Sequence, residues 1–322
     1  AVVVGVVRLR LAGVGTAVKT ALTRPGFALF LGGAAFIWCL FALHRPMFTQ
    51  WDEFTAWGLA PKMVVERAAF YVADPVNLKA SFTYPATSLV TFLFQPFGSW
   101  AEWACLAALD TLALACVAAA SALPRPRWAG GILVFGAGVV LPFFFSNNPA
   151  GSYAPQYANA MADLPLAMLF GGALCLYYSV GHRRRAFWLT GLPLMLLTLT
   201  KDICFAYGLI AAFLIGLDQL VTADKPIKQS FPRAFLRAGG LAVCVVAAFA
   251  SWSRYTAAVT PTVDTGASVG SAGLSYGAVL TGGVKQLLGI GRDDKFAQIM
   301  AAMGDAFFTR RICLLGGGIM GG

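Results

Sequence analysis

Two adjacent carboxylates, Asp52 and Glu53, follow an apolar stretch that runs from Phe27 to Leu43. A carboxylate at the mouth of a membrane helix can take a proton from an acceptor at the lipid surface, or hold a divalent cation there. A simpler interpretation is a helix cap with a solvated charge beside it, because Asp caps helices well and acids favour helix N-termini. Both interpretations remain open at the level of sequence.

Three more charged residues stand at or inside apolar segments. Lys201, in Leu-Thr-Leu-Thr-Lys-Asp, could bind an anion, although a snorkelling cation or an ion pair with Asp202 would also explain it. Asp163, followed by Pro165, suits a helix cap. Asp110 lies several residues inside an apolar run, where a carboxylate is costly. It is either functional or a hydrogen-bonded carboxyl that joins two helices.

The composition predicts that helices in a membrane position these residues. Hydrophobic residues make up 58% of the 322 residues, charged residues only 12%, and the mean hydropathy is +0.72. A soluble domain of this length would carry about twice that charged fraction. Strict apolar/polar alternation is absent, which argues against a barrel. We therefore expect an all-α polytopic membrane protein, in which helices satisfy the backbone groups internally.

Apolar stretches near the length that crosses a bilayer recur along the chain. They predict a bundle of about seven or more transmembrane helices, at roughly Phe27–Leu43, Trp103–Leu123, Trp128–Phe145, Leu164–Val180, Phe187–Thr200, Ile203–Leu220 and Leu236–Ser253.

The placement of charge predicts the topology. With a cytoplasmic N-terminus, the inner segments hold 13 of the 24 basic residues but only two of the 14 acids, which fits the excess of Lys and Arg in cytoplasmic loops. The outer side then contains Arg45–Glu102, Ser146–Asp163, the turn at Lys201 and the tail after Arg254. Because the basic residues are dispersed over short loops, the formal charge of +10 predicts no nucleic-acid partner.

The outer loop 44–102 is expected to contain two short helices at the membrane surface. Phe54–Phe70 has apolar residues at mostly helical spacing, with Lys62 and Glu66 placed i, i+4 on another face. The second helix begins at Tyr84-Pro85 and ends near Gly98, which is too short to span. Trp57 suits the headgroup level, where belt aromatics are also common.

The predicted organisation has three parts. Residues 1–26 form a cytoplasmic N-terminal segment, residues 27–255 form the transmembrane module, and residues 256–322 form an outer loop and the start of a further helix. A first residue other than Met and an apolar C-terminal end suggest a fragment of a longer protein. The first helix shows no cleavage site and is expected to remain.

Several kinds of site are disfavoured. The seven Cys residues lie in apolar stretches without Cys-x-x-Cys spacing, so neither a disulfide framework nor a zinc site is indicated. Only two His residues are present, which disfavours a histidine metal cluster or a Ser-His-Asp triad. The glycine runs lack a P-loop signature.

The order of these motifs resembles the GT-C glycosyltransferases that use polyprenyl-phosphate sugars, in particular the protein mannosyltransferase and aminoarabinose transferase branch. The matching features are an acid in the first outer loop, Tyr84-Pro85 at the second short helix, Asp163 before the fourth helix, and Leu-Thr-Lys ending at Lys201. The chain departs from that branch at Ala86 and Asp202, where Pro and Gly are usual. A basic residue common in the second helix is missing, and Asp110 lies in that region.

The resemblance implies a hexosyl- or pentosyltransferase on the outer face of a bacterial cytoplasmic membrane. It would move sugar from a polyprenyl-phosphate donor to a lipid, glycan or protein acceptor, with inversion at the anomeric carbon. Asp52 and Glu53 would be the catalytic carboxylates, with Asp52 as the base or the ligand of a Mg²⁺ or Mn²⁺ ion. Other site residues would bind the donor phosphate (Lys201, Arg254, Arg310 and Arg311) or contact substrates (Trp57, Tyr84, Pro85 and Asp163).

Two other classes remain open. A transporter or lipid flippase would use Asp110, Asp163 and Lys201 as relay or substrate groups, although no internal repeat is evident. A polytopic scaffold without activity would need no cluster of charged groups on one side.

Overall fold

The apolar segments fold into helices, as expected for a chain whose backbone groups cannot bond to lipid. The computed structural model describes residues 24–70, 83–95, 99–121, 128–144, 156–180, 186–223 and 226–259. Within these ranges no strand is present. The helices are α1 (Pro25–His44), a five-residue π-helix (Glu53–Trp57), α2 (Leu59–Arg67), α3 (Pro85–Phe94), α4 (Glu102–Ser121), α5 (Trp128–Phe144), α6 (Asp163–Val180), a 3₁₀ turn (Ala186–Thr190), α7 (Gly191–Thr198), α8 (Cys204–Val221) and α9 (Ile227–Val259).

In the described part of the chain, four helices are long and apolar enough to cross a membrane: α1, α4, α8 and α9. The expected helical membrane protein is thus confirmed. The other apolar segments predicted as spans lie on α5, α6 and α7. These segments are helical, but their apolar stretches are too short to count as candidate spans. The described residues therefore supply four candidate spans rather than seven.

Helix α4 is the centre of the bundle and packs against α1, α3, α5 and α6. Most of its side chains are buried, and many of them are alanines, for example Ala104, Ala107, Ala108 and Ala113. Small side chains let helix backbones approach closely, which drives packing where the surroundings are as apolar as the interface. By contrast, α1 and α9 leave large apolar side chains exposed, and these suit lipid rather than water.

A second core joins α6, α7, α8 and α9 around Leu194, Leu197, Ile215 and Leu241. At one end of these helices, Tyr177 on α6 donates a hydrogen bond to Asp218 on α8 at 2.6 Å. This contact lies at the opposite end of α6 from Asp163, because the two residues belong to its last and first turns.

Both short helices predicted in the first outer loop are present. The first is a π-helix that continues through Gly58 into α2, and the second is α3, which begins at Pro85. Ala60, Met63 and Val64 form the buried face of α2, as their spacing predicts, but Ala68 is exposed because α2 ends there in a left-handed conformation. Lys62 and Glu66 form the expected i, i+4 pair at 3.9 Å.

Parts of the predicted organisation lie outside the described residues. These parts are positions 1–23, and with them nearly all of the N-terminal segment, and positions 260–322, which include Arg310 and Arg311.

Candidate functional site

Lys201 and Asp163 form an ion pair between two segments that were predicted to lie on the same side of the membrane. The Lys201 Nζ donates to Asp163 Oδ1 at 2.9 Å, and the two side chains are 34% and 57% exposed. Lys201 Nζ also lies 5.7 Å from the ring centroid of Trp57, which belongs to the π-helix. Such a separation permits a cation–π contact. Three of the expected site residues therefore meet at one point.

Local structure explains this placement. Asp163 begins α6, where a carboxylate is favoured by the positive end of the helix dipole. Lys201 follows the end of α7, where a cation is favoured by the negative end. The chain breaks between α7 and α8, so Lys201 is presented at the end of the bundle rather than on a helix face.

Tyr84-Pro85 lies beside the Lys201 segment. The Ala86 N–H donates to the Leu199 carbonyl at 2.8 Å, which satisfies an acceptor at the end of α7 and fixes the start of α3 two residues from Lys201. The Tyr84 ring centroid is 6.3 Å from that of Trp252 on α9. This part of the site is therefore a junction of α3, α7 and α9.

Arg254 lies two residues after Trp252 on α9. It is exposed on α9, between Trp252 and Tyr255, whose rings stack on each other at 5.5 Å. Both rings also pack against Phe70, which follows α2. Arg254 is thus an exposed cation on the same stretch of α9, and none of the described contacts joins its side chain to Lys201.

The acidic pair divides into one exposed and one buried carboxylate. Asp52 is exposed and immediately precedes the π-helix. Glu53 is only 1% exposed, and its Oε2 accepts hydrogen bonds from the N–H groups of Thr49 and Gln50, both at 2.8 Å. Its Oε1 accepts a third bond, from the Ala160 N–H at 2.7 Å. Glu53 therefore binds backbone from two different loops.

A second buried carboxylate, Asp110, bonds to the loop that contains Ala160. Its Oδ2 accepts the Ala158 N–H at 3.0 Å, while Oδ1 has no hydrogen-bond partner in the described part of the structure. Ala158 has a φ of 53°, a left-handed conformation that is strained for a residue with a side chain. Burial and the Asp110 carboxylate raise the pKa of the adjacent Tyr157 to about 12. Asp110 thus joins α4 to the loop that contains Ala158. Sequence analysis left two roles open for Asp110, a functional group or a hydrogen-bonded carboxyl that joins segments, and this contact is of the second kind.

Two carboxylates thus hold the loop that leads into Asp163. Glu53 reaches it from the first outer loop, and Asp110 reaches it from α4. A third carboxylate, Glu102, was not predicted as a site residue. It accepts the Phe48 N–H at 3.0 Å and fixes the first outer loop to the start of α4. The only feature of the sequence that could have identified Glu102 as a contact residue was its position at the start of an apolar helix.

The carboxylates do not gather into a cation site within the described residues. No group of three His, Cys, Asp or Glu side chains that could hold a metal ion occurs there. Both Glu53 oxygens face N–H donors, whose partial positive charge would repel a cation. A divalent cation at Asp52 would therefore not have Glu53 as a second ligand.

An apolar groove of about 420 Å³ opens between α4, α5 and α6. Asp163, which is paired with Lys201, and Gln156 are among the residues that line it. Its walls come from three helices, and they include Val117, Gly138, Ala167, Met168, Gly171 and Cys175.

No known family, curated protein or solved structure matches the chain in comparisons of sequence and fold. The function must therefore be argued from the site itself. A cation on an aromatic ring, paired with a carboxylate that lines an apolar groove, is suited to an amphiphile with a polar head and a hydrocarbon chain.

Proposed function

We propose that this protein is a membrane glycosyltransferase that moves a sugar from a polyprenyl-phosphate donor to an acceptor. The observation that carries the proposal is the convergence of Trp57, Tyr84-Pro85, Asp163 and Lys201 from four separate segments. Of the residues that carry the GT-C resemblance, Tyr84-Pro85, Asp163 and Lys201 meet in this way, and their order along the chain does not require it. An apolar groove that has Asp163 among its lining residues supports a lipid-linked substrate.

The proposal includes the finer architecture. The chain would have a GT-C-like bundle of seven or more spans, with α5, α6 and α7 as spans beside the four long helices. The site would face the outside of a bacterial cytoplasmic membrane, because the convergent segments are those with few basic residues.

The transfer step can be written with atoms and charge balanced. An acceptor hydroxyl or amine gives its proton to Asp52 while its oxygen or nitrogen forms a bond to the anomeric carbon. The bond between that carbon and the phosphate oxygen breaks, and the electron pair leaves on the phosphate. A single displacement of this kind inverts the anomeric centre.

The leaving phosphate requires cations. The Lys201 ammonium has three N–H donors. One of them bonds to Asp163, so two can bind phosphate oxygens. Arg254 would add a planar pair of donors from α9. Arg310 and Arg311 remain predicted phosphate contacts. Glu53 would hold Asp52 and the Asp163 loop in place rather than react.

The test is the release of polyprenyl phosphate by purified protein in lipid nanodiscs, with polyprenyl-phosphate mannose, glucose and aminoarabinose as separate donors. Water serves as the basal acceptor. We expect Asp52→Asn and Lys201→Ala to lose turnover by about a hundredfold or more, the scale on which acid–base or charge stabilisation acts. Asp202→Asn and Lys62→Ala are matched controls, because the described contacts of these side chains are with the Ile203 N–H and with Glu66 rather than with the convergent residues. Unchanged turnover in both site variants would contradict the proposal.

A transporter or flippase is the second candidate, and one observation favours it. Asp110 is buried inside a candidate span, with one carboxylate oxygen that lacks a partner among the described residues. Such a group suits a relay in transport. Movement of fluorescent polyprenyl phosphate between liposome leaflets, without sugar release and with sensitivity to Asp110→Asn, would favour this class.

A further inference from the structure

A cleft of about 310 Å³ opens between α6 and α8, separate from the apolar groove of the candidate site. Tyr177 and Tyr178 belong to the last turn of α6, and Asp218 belongs to the last turn of α8. These three residues line the cleft together with the apolar side chains of Leu174, Leu214, Ile215, Leu217 and Val221. The polar part of the cleft therefore lies where two helices end.

Hydrogen bonds place the Asp218 carboxylate against the two tyrosines. The Tyr177 hydroxyl donates to Oδ2 at 2.6 Å, and the Tyr178 hydroxyl donates to Oδ1 at 3.4 Å. The centroids of the two tyrosine rings are 5.1 Å apart. Because both donors belong to residues that line the cleft, as Asp218 itself does, the carboxylate is part of the cleft wall.

No described contact neutralises the charge of Asp218. A tyrosine hydroxyl is a neutral donor, and a carboxylate accepts about four hydrogen bonds, so positions for further donors remain. Among the described residues no Lys or Arg side chain bonds to this carboxylate. Arg237 on α9 instead bonds to the Gln219 side chain at 3.4 Å and lies 4.8 Å from the Phe187 ring centroid.

The helix ends add to the negative potential of the cleft. Both α6 and α8 end there, and the C-terminal end of a helix carries partial negative charge. The faces of the tyrosine rings likewise attract cations. Asp218, two helix ends and two rings therefore favour a cation as the occupant.

The walls favour an organic cation that belongs to a lipid. Within the described residues, Asp218 is in no group of three side chains that could hold a metal ion. Leu214, Leu217 and Val221 are exposed on α8, a candidate span, and such side chains suit lipid rather than water. An ammonium at Asp218 could thus continue into hydrocarbon along the same cleft.

We propose that this cleft binds the ammonium headgroup of a membrane lipid, with Asp218 as its counter-ion and the tyrosine rings against the cation. In a zwitterionic head such as phosphoethanolamine the ammonium is the terminal group. It can therefore approach Asp218 more closely than the lipid phosphate does, so that attraction exceeds repulsion. The proposal does not depend on the proposed glycosyl transfer.

Binding can be tested by native mass spectrometry of the full chain with phosphatidylethanolamine and phosphatidylglycerol of identical acyl chains. Both lipids carry a phosphate, and the glycerol hydroxyls can also donate hydrogen bonds, so a difference reports the ammonium charge. We expect Asp218→Asn to weaken phosphatidylethanolamine binding by about tenfold, since hydrogen bonds between charged groups are the stronger ones. Phosphatidylglycerol binding should not weaken. Asp202→Asn, an exposed acid before the other end of α8, is the matched control.

Tyr178 gives a second test that does not alter the carboxylate, and its exposed position makes loss of folding improbable. Tyr178→Leu removes the ring and should weaken phosphatidylethanolamine binding by about threefold, the scale of a cation–π contact at an exposed site. Tyr178→Phe keeps the ring and should retain most of the binding. Equal binding by Tyr178→Leu and Tyr178→Phe would contradict the role of the ring. Unchanged phosphatidylethanolamine binding in Asp218→Asn, or an equal loss for both lipids, would overturn the proposal.

Discussion

Asp52 and Glu53 are neighbours in the chain, but their carboxylates have different surroundings. Asp52 is exposed beside the π-helix, and Glu53 is buried against three backbone N–H groups. A sequence shows only that two acids are adjacent. It could not show which one is buried, because the donors to Glu53 include Ala160, more than a hundred positions away.

Substitution by the amide should distinguish Glu53 from Asp110. Glu53→Gln places an NH₂ group against N–H donors, so we expect a loss of about 1–3 kcal/mol in the free energy of unfolding. Asp110→Asn keeps one oxygen for Ala158, and its amide nitrogen takes the place of an oxygen without a partner, so the loss should be under about 1 kcal/mol. Denaturant unfolding in detergent measures both. Equal losses would contradict the difference in hydrogen bonding.

Lys201 is expected to matter for activity more than for stability. Its ion pair with Asp163 is partly exposed, and such pairs contribute about 0–1 kcal/mol. Lys201→Ala should therefore shift the free energy of unfolding by no more than this, while donor turnover falls steeply. A comparable loss of stability and activity would indicate a structural role instead.

Among the secondary-structure elements, the sequence predicts most of the helices but not the type of helix that begins the first outer loop. Apolar spacing and Pro85 place α2 and α3 correctly. The π-helix is not visible in the sequence, and it accompanies tertiary contacts that a sequence does not show: Glu53 is buried while Trp57 lies beside Lys201. At the break between α7 and α8, the Leu199 carbonyl likewise accepts a hydrogen bond from a distant segment, the Ala86 N–H.

Gly58 is expected to be essential for the π-helix to join α2. A Cβ atom there would lie 2.2 Å from the Phe48 ring and 2.7 Å from the Glu53 carbonyl oxygen. Gly58→Ala should therefore destabilise the protein by about 1–3 kcal/mol, as overpacking does. Gly136→Ala, with open space at its Cβ, is the control and should gain up to about 1 kcal/mol from helix propensity. Thermal unfolding of the two variants is the measurement. A stable Gly58→Ala protein would contradict the described packing.

For the whole molecule, composition alone predicts a helical membrane protein, because the free energy of exposing backbone to lipid leaves few alternatives. The contacts among the outer segments cannot be derived from the composition. Resemblance in motif order suggests a shared site, but distances such as that of Lys201 to Asp163 depend on how α6, α7 and α8 pack. The groove was not predicted at all, because it depends on which small side chains of three helices face one another.

The predicted topology can be tested by the labelling of introduced cysteines in intact cells. Asp202→Cys lies at the end of the bundle that holds Lys201, and Thr222→Cys follows the opposite end of α8. Both native residues are exposed. If the site faces outward, a membrane-impermeant maleimide should label the first variant and spare the second until the cells are lysed. The reverse pattern would place the site on the cytoplasmic side.

We propose that Lys201 and Asp52 serve the transfer of a sugar from a lipid phosphate. The most direct measurement is the rate of polyprenyl-phosphate release from a polyprenyl-phosphate sugar by the purified protein. We predict turnover that Lys201→Ala and Asp52→Asn abolish and that Lys62→Ala and Asp202→Asn retain. Release that all four variants support equally, or no release from any donor by the unmodified protein, would contradict the claim.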